Sequence, residues 1–147
     1  MKRFKYRFEK VLSFKKHLEK QKQRELAEVV DFEQKQKLKI LEVLDDRANY
    51  QKREKKLLTG KLDANLLTRY SRYYMKLKQM EIGGRELLAN IREELGKRRK
   101  VLIEATKQRK IYEKLRERHL DKYTVEMNLL TQKENDDIGQ TMFLRNK

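Results

Sequence analysis

The sequence predicts an all-α fold: a long helical hairpin whose two helices pair as an antiparallel two-stranded coiled coil. Three observations carry that prediction. First, the 147 residues include no proline, the residue that breaks helices, and 42% of them are charged. Second, apolar residues recur with a three-four spacing from Leu67 almost to the end. Of the 19 positions reached by those steps between Leu67 and Leu130, 12 carry Leu, Ile, Ala or Tyr, enough to draw one stripe along a helix. A sustained seven-residue repeat of this kind asks for a partner helix to cover it. Third, a hydrophobic fraction of 37% without tryptophan leaves little for a thick globular core, whereas a chain rich in Lys, Glu, Arg, Leu and Gln suits long helices.

The elements follow in order, within one coiled-coil domain over 1–147. The first helix is expected over about 8–58. Its stripe opens with Phe4, Phe8, Val11 and Leu18, loses phase, and resumes as Ala27, Val30, Leu41, Leu44, Ala48, Leu58 and Leu62. Gln34, Lys37, Gln51 and Lys55 fall on that resumed seam, where polar residues lower stability and can fix register. The hinge is expected over 59–65. Gly60 suits a left-handed turn after the first helix, and Asp63 suits the N-cap of the next. The second helix is expected over about 66–138, with its seam on Leu67, Tyr70, Tyr74, Leu77, Leu88, Ile91, Leu95, Leu102, Ala105, Tyr112, Tyr123 and Leu130. A short loop between long helices makes them antiparallel neighbours. Folding about Leu62 sets Phe4 opposite His119 and Leu120. The segment from Tyr123 to Lys147 is then left without a partner from the first helix, to protrude or fold back.

Charge and composition bound the function. The net charge is +16, and the excess is spread along the chain with acids mixed in throughout. Such a field speeds encounter with an acidic partner, and salt weakens it. With no cysteine, disulfides and thiolate metal sites are excluded. The basic start is followed by no apolar stretch of the kind a secretory signal needs, and no apolar run is long enough to span a bilayer. A cytoplasmic protein is expected. No glycine-rich phosphate loop, nucleophile elbow or ligand cluster appears, so neither catalysis nor a cofactor is expected. His17 and His119 are the only histidines.

Three local features have two readings each. Gly83-Gly84 is a tolerated kink inside the second helix, or a site where bare backbone makes a contact. Lys97-Arg98-Arg99-Lys100 resembles a nucleic-acid patch, but Glu93, Glu94 and Glu104 make it a solvated face too. Tyr73 and Met80, with Leu66 and Leu87, form a second row beside the seam. That row either fills a broad hydrophobic face at the hinge end or meets a partner, as Tyr and Met often do.

The order of its motifs makes the whole chain resemble the flagellar FliJ family. Phe4-Lys-Tyr-Arg-Phe8-Glu-Lys-Val-Leu12 is similar to the family's opening stretch. Tyr70-Ser-Arg-Tyr73-Tyr74-x-x-Leu77 is similar to the aromatic motif of its second helix. Tyr112-Glu-Lys-Leu115-Arg-Glu-Arg118, followed by Glu134-x-Asp136-Asp137, is similar to its C-terminal pattern. The resemblance implies a non-enzymatic part of the bacterial flagellar type III export apparatus, similar in shape to the stalk of rotary ATPases. Its implied partners are the hexameric ring of the export ATPase, the export-gate membrane protein and, for some members, export chaperones. Membrane association would be peripheral and through partners, at the inner face of the cell membrane at the flagellar base. By position, the resemblance assigns ring binding to Phe4, Arg7, Phe8, Val11, Arg116, Arg118, Tyr123, Glu134 and Asp137. It assigns gate binding to Tyr73, Leu77 and Met80, whose next position is Gly84, without a side chain. Two other readings stand beside it: a basic coiled coil that binds nucleic acid, although no specific nucleic acid is indicated, and a self-associating structural protein.

Overall fold

The computed structural model describes residues 3–61 and 63–145. Two helices account for nearly all of them: α1 (Glu9–Leu58) and α2 (Ala64–Arg145). They pack against one another as an antiparallel hairpin, and no strand occurs among the described residues. The second helix runs seven residues past the boundary expected from the sequence.

The helix ends follow from local chemistry. At the start of α1, the Phe8 carbonyl accepts from the Leu12 N–H at 2.9 Å, and Glu9 sits where the helix dipole favours an acid. At the other end Lys55 and Lys56 occupy the last turn, where cations are favoured. The Gly60 N–H bonds to the Leu57 carbonyl at 3.2 Å, and the Thr59 hydroxyl donates to the Lys56 carbonyl at 2.7 Å. No described residue has a positive φ, so Gly60 does not take the left-handed conformation expected of it. A three-residue hydrogen bond and a threonine hydroxyl satisfy the last carbonyls instead. Asp63 does cap α2: its Oδ1 accepts from the Asn65 N–H at 2.9 Å. Leu62, expected as the pivot, lies outside the described residues.

The packing divides into two compact units, Met1–Gln21 with Ile103–Lys147, and Lys22–Leu102. In the second of these, the α2 seam is the expected one except at Leu67, which is exposed: Tyr70, Tyr74, Leu77, Glu81, Gly84, Leu88, Ile91, Leu95, Arg98 and Leu102 are all buried or half-buried. The α1 seam is not. The positions that face α2 are Lys22, Leu26, Val29, Glu33, Gln36, Ile40, Val43, Arg47, Tyr50, Glu54 and Leu57, an unbroken three-four repeat. The expected row (Ala27, Val30, Leu41, Leu44, Ala48, Leu58) lies one residue further along. Ala27, Leu41, Ala48 and Leu58 are exposed, and only Val30 and Leu44 are half-buried. Two parallel rows with the same share of apolar residues therefore run along α1, and only one of them is the interface.

Glu33, Gln36 and Arg47 of this row are matched across the seam. Arg47 pairs with Glu81. Arg92 pairs with Glu33 at 3.1 Å and Arg98 with Glu25 at 2.7 Å. Gln36 donates from Nε2 to the Gly84 carbonyl at 3.1 Å. Such pairs fix register more than they add stability.

In the other unit Tyr6, Leu12 and Ala105 are the buried apolar residues, with Val11, Leu18, Tyr112 and Leu115 half-buried around them. Glu19 is buried among them. Thr106 donates to its carboxylate at 2.8 Å, and Arg109 forms an ion pair with it. Beyond Tyr123, α2 continues to Arg145 with nearly every side chain exposed.

Candidate binding surfaces

In the unit built from both chain ends, residues 3–8 precede the helix and lay their aromatic side chains against α2. The Phe4 ring lies 5.5 Å from that of Tyr123. Tyr6 meets His119 edge-on at 5.7 Å and Phe8 at 5.9 Å, and Phe8 meets Tyr112 at 6.2 Å. Edge-to-face contacts at these separations are favourable beyond the area they bury. The Tyr6 hydroxyl donates to the Tyr112 carbonyl at 3.1 Å. Burial pushes that phenol above its usual pKa, with help from Tyr112 and Glu9. The exposed guanidinium of Arg7 stands 5.6 Å from the centre of the Phe8 ring.

Around this cluster lies an open groove of about 500 Å³ lined by Phe4, Lys5, Tyr6, Arg7, Glu9, Lys10 and Arg116. Arg116 pairs with Glu9 at 3.1 Å, and Lys16 with Glu113 at 3.5 Å. Thus Phe4, Arg7, Phe8, Val11, Arg116 and Tyr123, expected together from the sequence, do share one end of this unit. Arg118 is exposed on α2. Glu134 and Asp137 are exposed further along it. Tyr6 was missed as an organising residue: it precedes the helix, so no helical period marks it.

In the Lys22–Leu102 unit a second aromatic cluster forms where α1 meets the start of α2. Tyr50 stacks at a tilt on Tyr70 (4.5 Å) and on Tyr73 (4.3 Å). Gln51 donates to the Tyr74 hydroxyl at 3.2 Å. Burial raises the Tyr50 pKa, and the neighbouring Tyr70 and Tyr73 phenols add to it. Tyr73 and Met80 are 38% and 50% exposed and can meet a partner, whereas Leu77 is 2% exposed and lies wholly in the seam. Gly84 faces α1: a Cβ built on it would come within 3.2 Å of Ile40 Cγ1 and 3.3 Å of Gln36 Nε2. Its neighbour Gly83 meets nothing within 4 Å. The glycine pair thus divides into one contact site and one open position. Tyr50 was not singled out in the sequence, although it stands seven residues from both Val43 and Leu57 in the true seam.

The basic run on α2 is partly neutralised. Lys97 pairs with Glu93 at 2.8 Å, and Arg98 pairs with both Glu94 and Glu25. That favours the solvated-face reading over a phosphate-binding patch. No helix of the described residues is long and apolar enough to cross a membrane, and among the described residues no group of three His, Asp or Glu side chains gathers as a metal site.

A family described as the flagellar FliJ protein matches the chain over residues 4–147. The chain belongs to the FliJ family. No curated protein and no solved structure matches it. FliJ membership makes it a component of flagellar protein export. The match spans both aromatic clusters and the exposed end of α2, so all three belong to the FliJ region of the chain.

Proposed function

We propose that this FliJ-family chain is the stalk that joins the export ATPase ring to the export gate, promotes assembly or activity of the ring, and escorts export chaperones. One observation supports it above the rest: each compact unit carries its own aromatic cluster, with Phe4, Phe8 and Tyr123 half-buried in one and Tyr73 exposed in the other. A linker between two partners needs two such surfaces. The cluster of Phe4, Phe8 and Tyr123, bordered by Arg7, Arg116 and Arg118, offers the ring an aromatic plug in a cationic setting. Glu134 and Asp137 add acids on the α2 extension. The cluster near the hinge offers the gate Tyr73 and Met80. Leu77 holds that surface in place from the seam beneath it.

The chain itself carries out no ATP chemistry in this reading. It changes only the assembly or turnover of the ring, and it lies at the inner face of the membrane through its partners. The test is the hydrolysis rate and ring assembly of the cognate export ATPase, with and without this protein, at physiological salt. Stimulated hydrolysis with a defined ring complex supports the stalk. An unchanged rate with a folded helical protein overturns it.

A further inference from the structure

The outward apolar row of α1 is the most telling feature the stalk reading leaves unused. It keeps the seven-residue phase from Ala27 to Leu58, one residue beside the true seam and interrupted by Gln34, Lys37, Gln51 and Lys55, yet only its Val30 and Leu44 are half-buried. A helix with two adjacent apolar rows is patterned for two neighbours, and only one is present. The row opens into a groove of about 340 Å³ walled by Leu41, Leu44 and Leu88, with Leu41 60% exposed. Lys37, Arg85 and Arg92 rim it. On α2 this cationic edge continues as Lys78, Arg85, Arg92 and Arg99, one every seven residues. Glu33 pairs with Lys37 and Arg92, and Glu81 with Arg85, but no acid stands on the Lys78–Arg99 row itself. The groove therefore suits an amphipathic helix with an acidic border.

The chain contains one such helix. Residues 124–145 carry four acids against two bases, in a protein of net charge +16. They are helical, and all but the half-buried Met127 are exposed. Met127, Leu130, Ile138 and Met142 fall on one face at helical spacing, with Glu134 among them and Glu126 and Asp137 along one border. We infer that the outward row of α1 is a docking groove for residues 124–145 of a second copy of this chain. A third helix in that groove completes the burial that α1 is patterned for, and its acids meet the cationic row. The opposite flank, with Tyr73, Met80 and Leu87, stays open.

Sedimentation of the full chain over a range of concentrations, at low and physiological salt, tests this. The mass is expected to rise above the 18.0 kDa monomer with concentration, and less steeply as salt is added. Leu41→Asp in the groove and Leu130→Asp in the tail are each expected to weaken association at least about tenfold while the helical circular dichroism stays unchanged. Leu87→Asp, on the other flank, is expected to leave it intact. A monomer at every concentration overturns the inference, as does association that Leu87→Asp abolishes. Loss with Leu41→Asp but not with Leu130→Asp also overturns it, because the groove then has a different occupant.

Discussion

Gly84 stands so close to Ile40 that a Cβ on the glycine would lie 3.2 Å from the isoleucine Cγ1. At that point α1 and α2 approach through bare backbone, and the Gly84 carbonyl is in reach of Gln36. The two adjacent glycines should therefore respond in opposite directions. Gly83→Ala adds a better helix former in open space and is expected to raise stability by about 0.5–1 kcal/mol. Gly84→Leu forces the seam apart and is expected to cost about 1–3 kcal/mol. Thermal melts followed by circular dichroism compare the two; equal effects would show that the contact at Gly84 is not tight.

Leu77 and Met80 separate folding from binding in the same way. Leu77 is 2% exposed, so Leu77→Ala leaves a cavity in the seam and is expected to cost about 2–5 kcal/mol. Met80→Ala removes a half-exposed side chain and is expected to leave the melting temperature nearly unchanged. Combined with Tyr73→Ala, it is expected to abolish gate binding while keeping ATPase binding. Pull-down against each partner, with melting curves alongside, checks this. Loss of both partners, or of neither, would sink the two-ended stalk.

The same contrast explains what the sequence disclosed. The α2 seam was legible because most of its positions from Tyr70 to Tyr112 are apolar, so periodicity found it. The α1 seam was misplaced by one residue because the two adjacent rows are equally patterned: Glu33, Gln36, Arg47 and Glu54 interrupt the true row, and Gln34, Lys37, Gln51 and Lys55 interrupt its neighbour. A polar residue qualifies for a seam only when its partner sits opposite, and that partner is many residues away: Glu81 for Arg47, Arg92 for Glu33. Of the expected binding residues, the terminal aromatics came together because the register about the hinge was right. Phe4 meets Tyr123, within one helical turn of the position that folding about Leu62 set. The role of Tyr6 was hidden because no helical period applies to the segment before α1.

Tyr6 gives the next prediction. Its hydroxyl bonds to the Tyr112 carbonyl across the unit formed by the two chain ends, and its ring contacts Phe8 and His119. Tyr6→Phe keeps the ring and removes one neutral hydrogen bond, so a loss of about 0.5–1.5 kcal/mol is expected. Tyr6→Ala removes the ring contacts as well and is expected to cost more, about 3–5 kcal/mol by analogy with other buried aromatics. Hydrogen exchange at the start of α1 should then rise in both variants, more in Tyr6→Ala. Unchanged protection in Tyr6→Ala would mean the residues before α1 do not hold this end together.

Acid should loosen the hairpin through its cross-helix carboxylates. Hydrogen bonds from Lys22 and Arg98 hold the Glu25 carboxyl below its usual pKa, and Lys37 and Arg92 do the same for Glu33. A carboxyl with a lower pKa in the fold than in the unfolded chain contributes its full stability above the unfolded value. That contribution is lost as pH falls through the folded one. Melting temperature is therefore expected to fall as pH drops below about 4.3, the ordinary glutamate value. At the other end of the scale, Tyr6 and Tyr50 have raised values, so the fold favours their neutral forms. Stability should decline again once pH exceeds about 10, where the unfolded phenols ionise first. Because both carboxyls are only half-buried, added salt should still flatten the acid limb in part. Melts from pH 3 to 7 on the wild type and on a Glu25→Gln/Glu33→Gln variant decide the point. An acid limb as steep in the variant as in the wild type would mean that other carboxylates govern it.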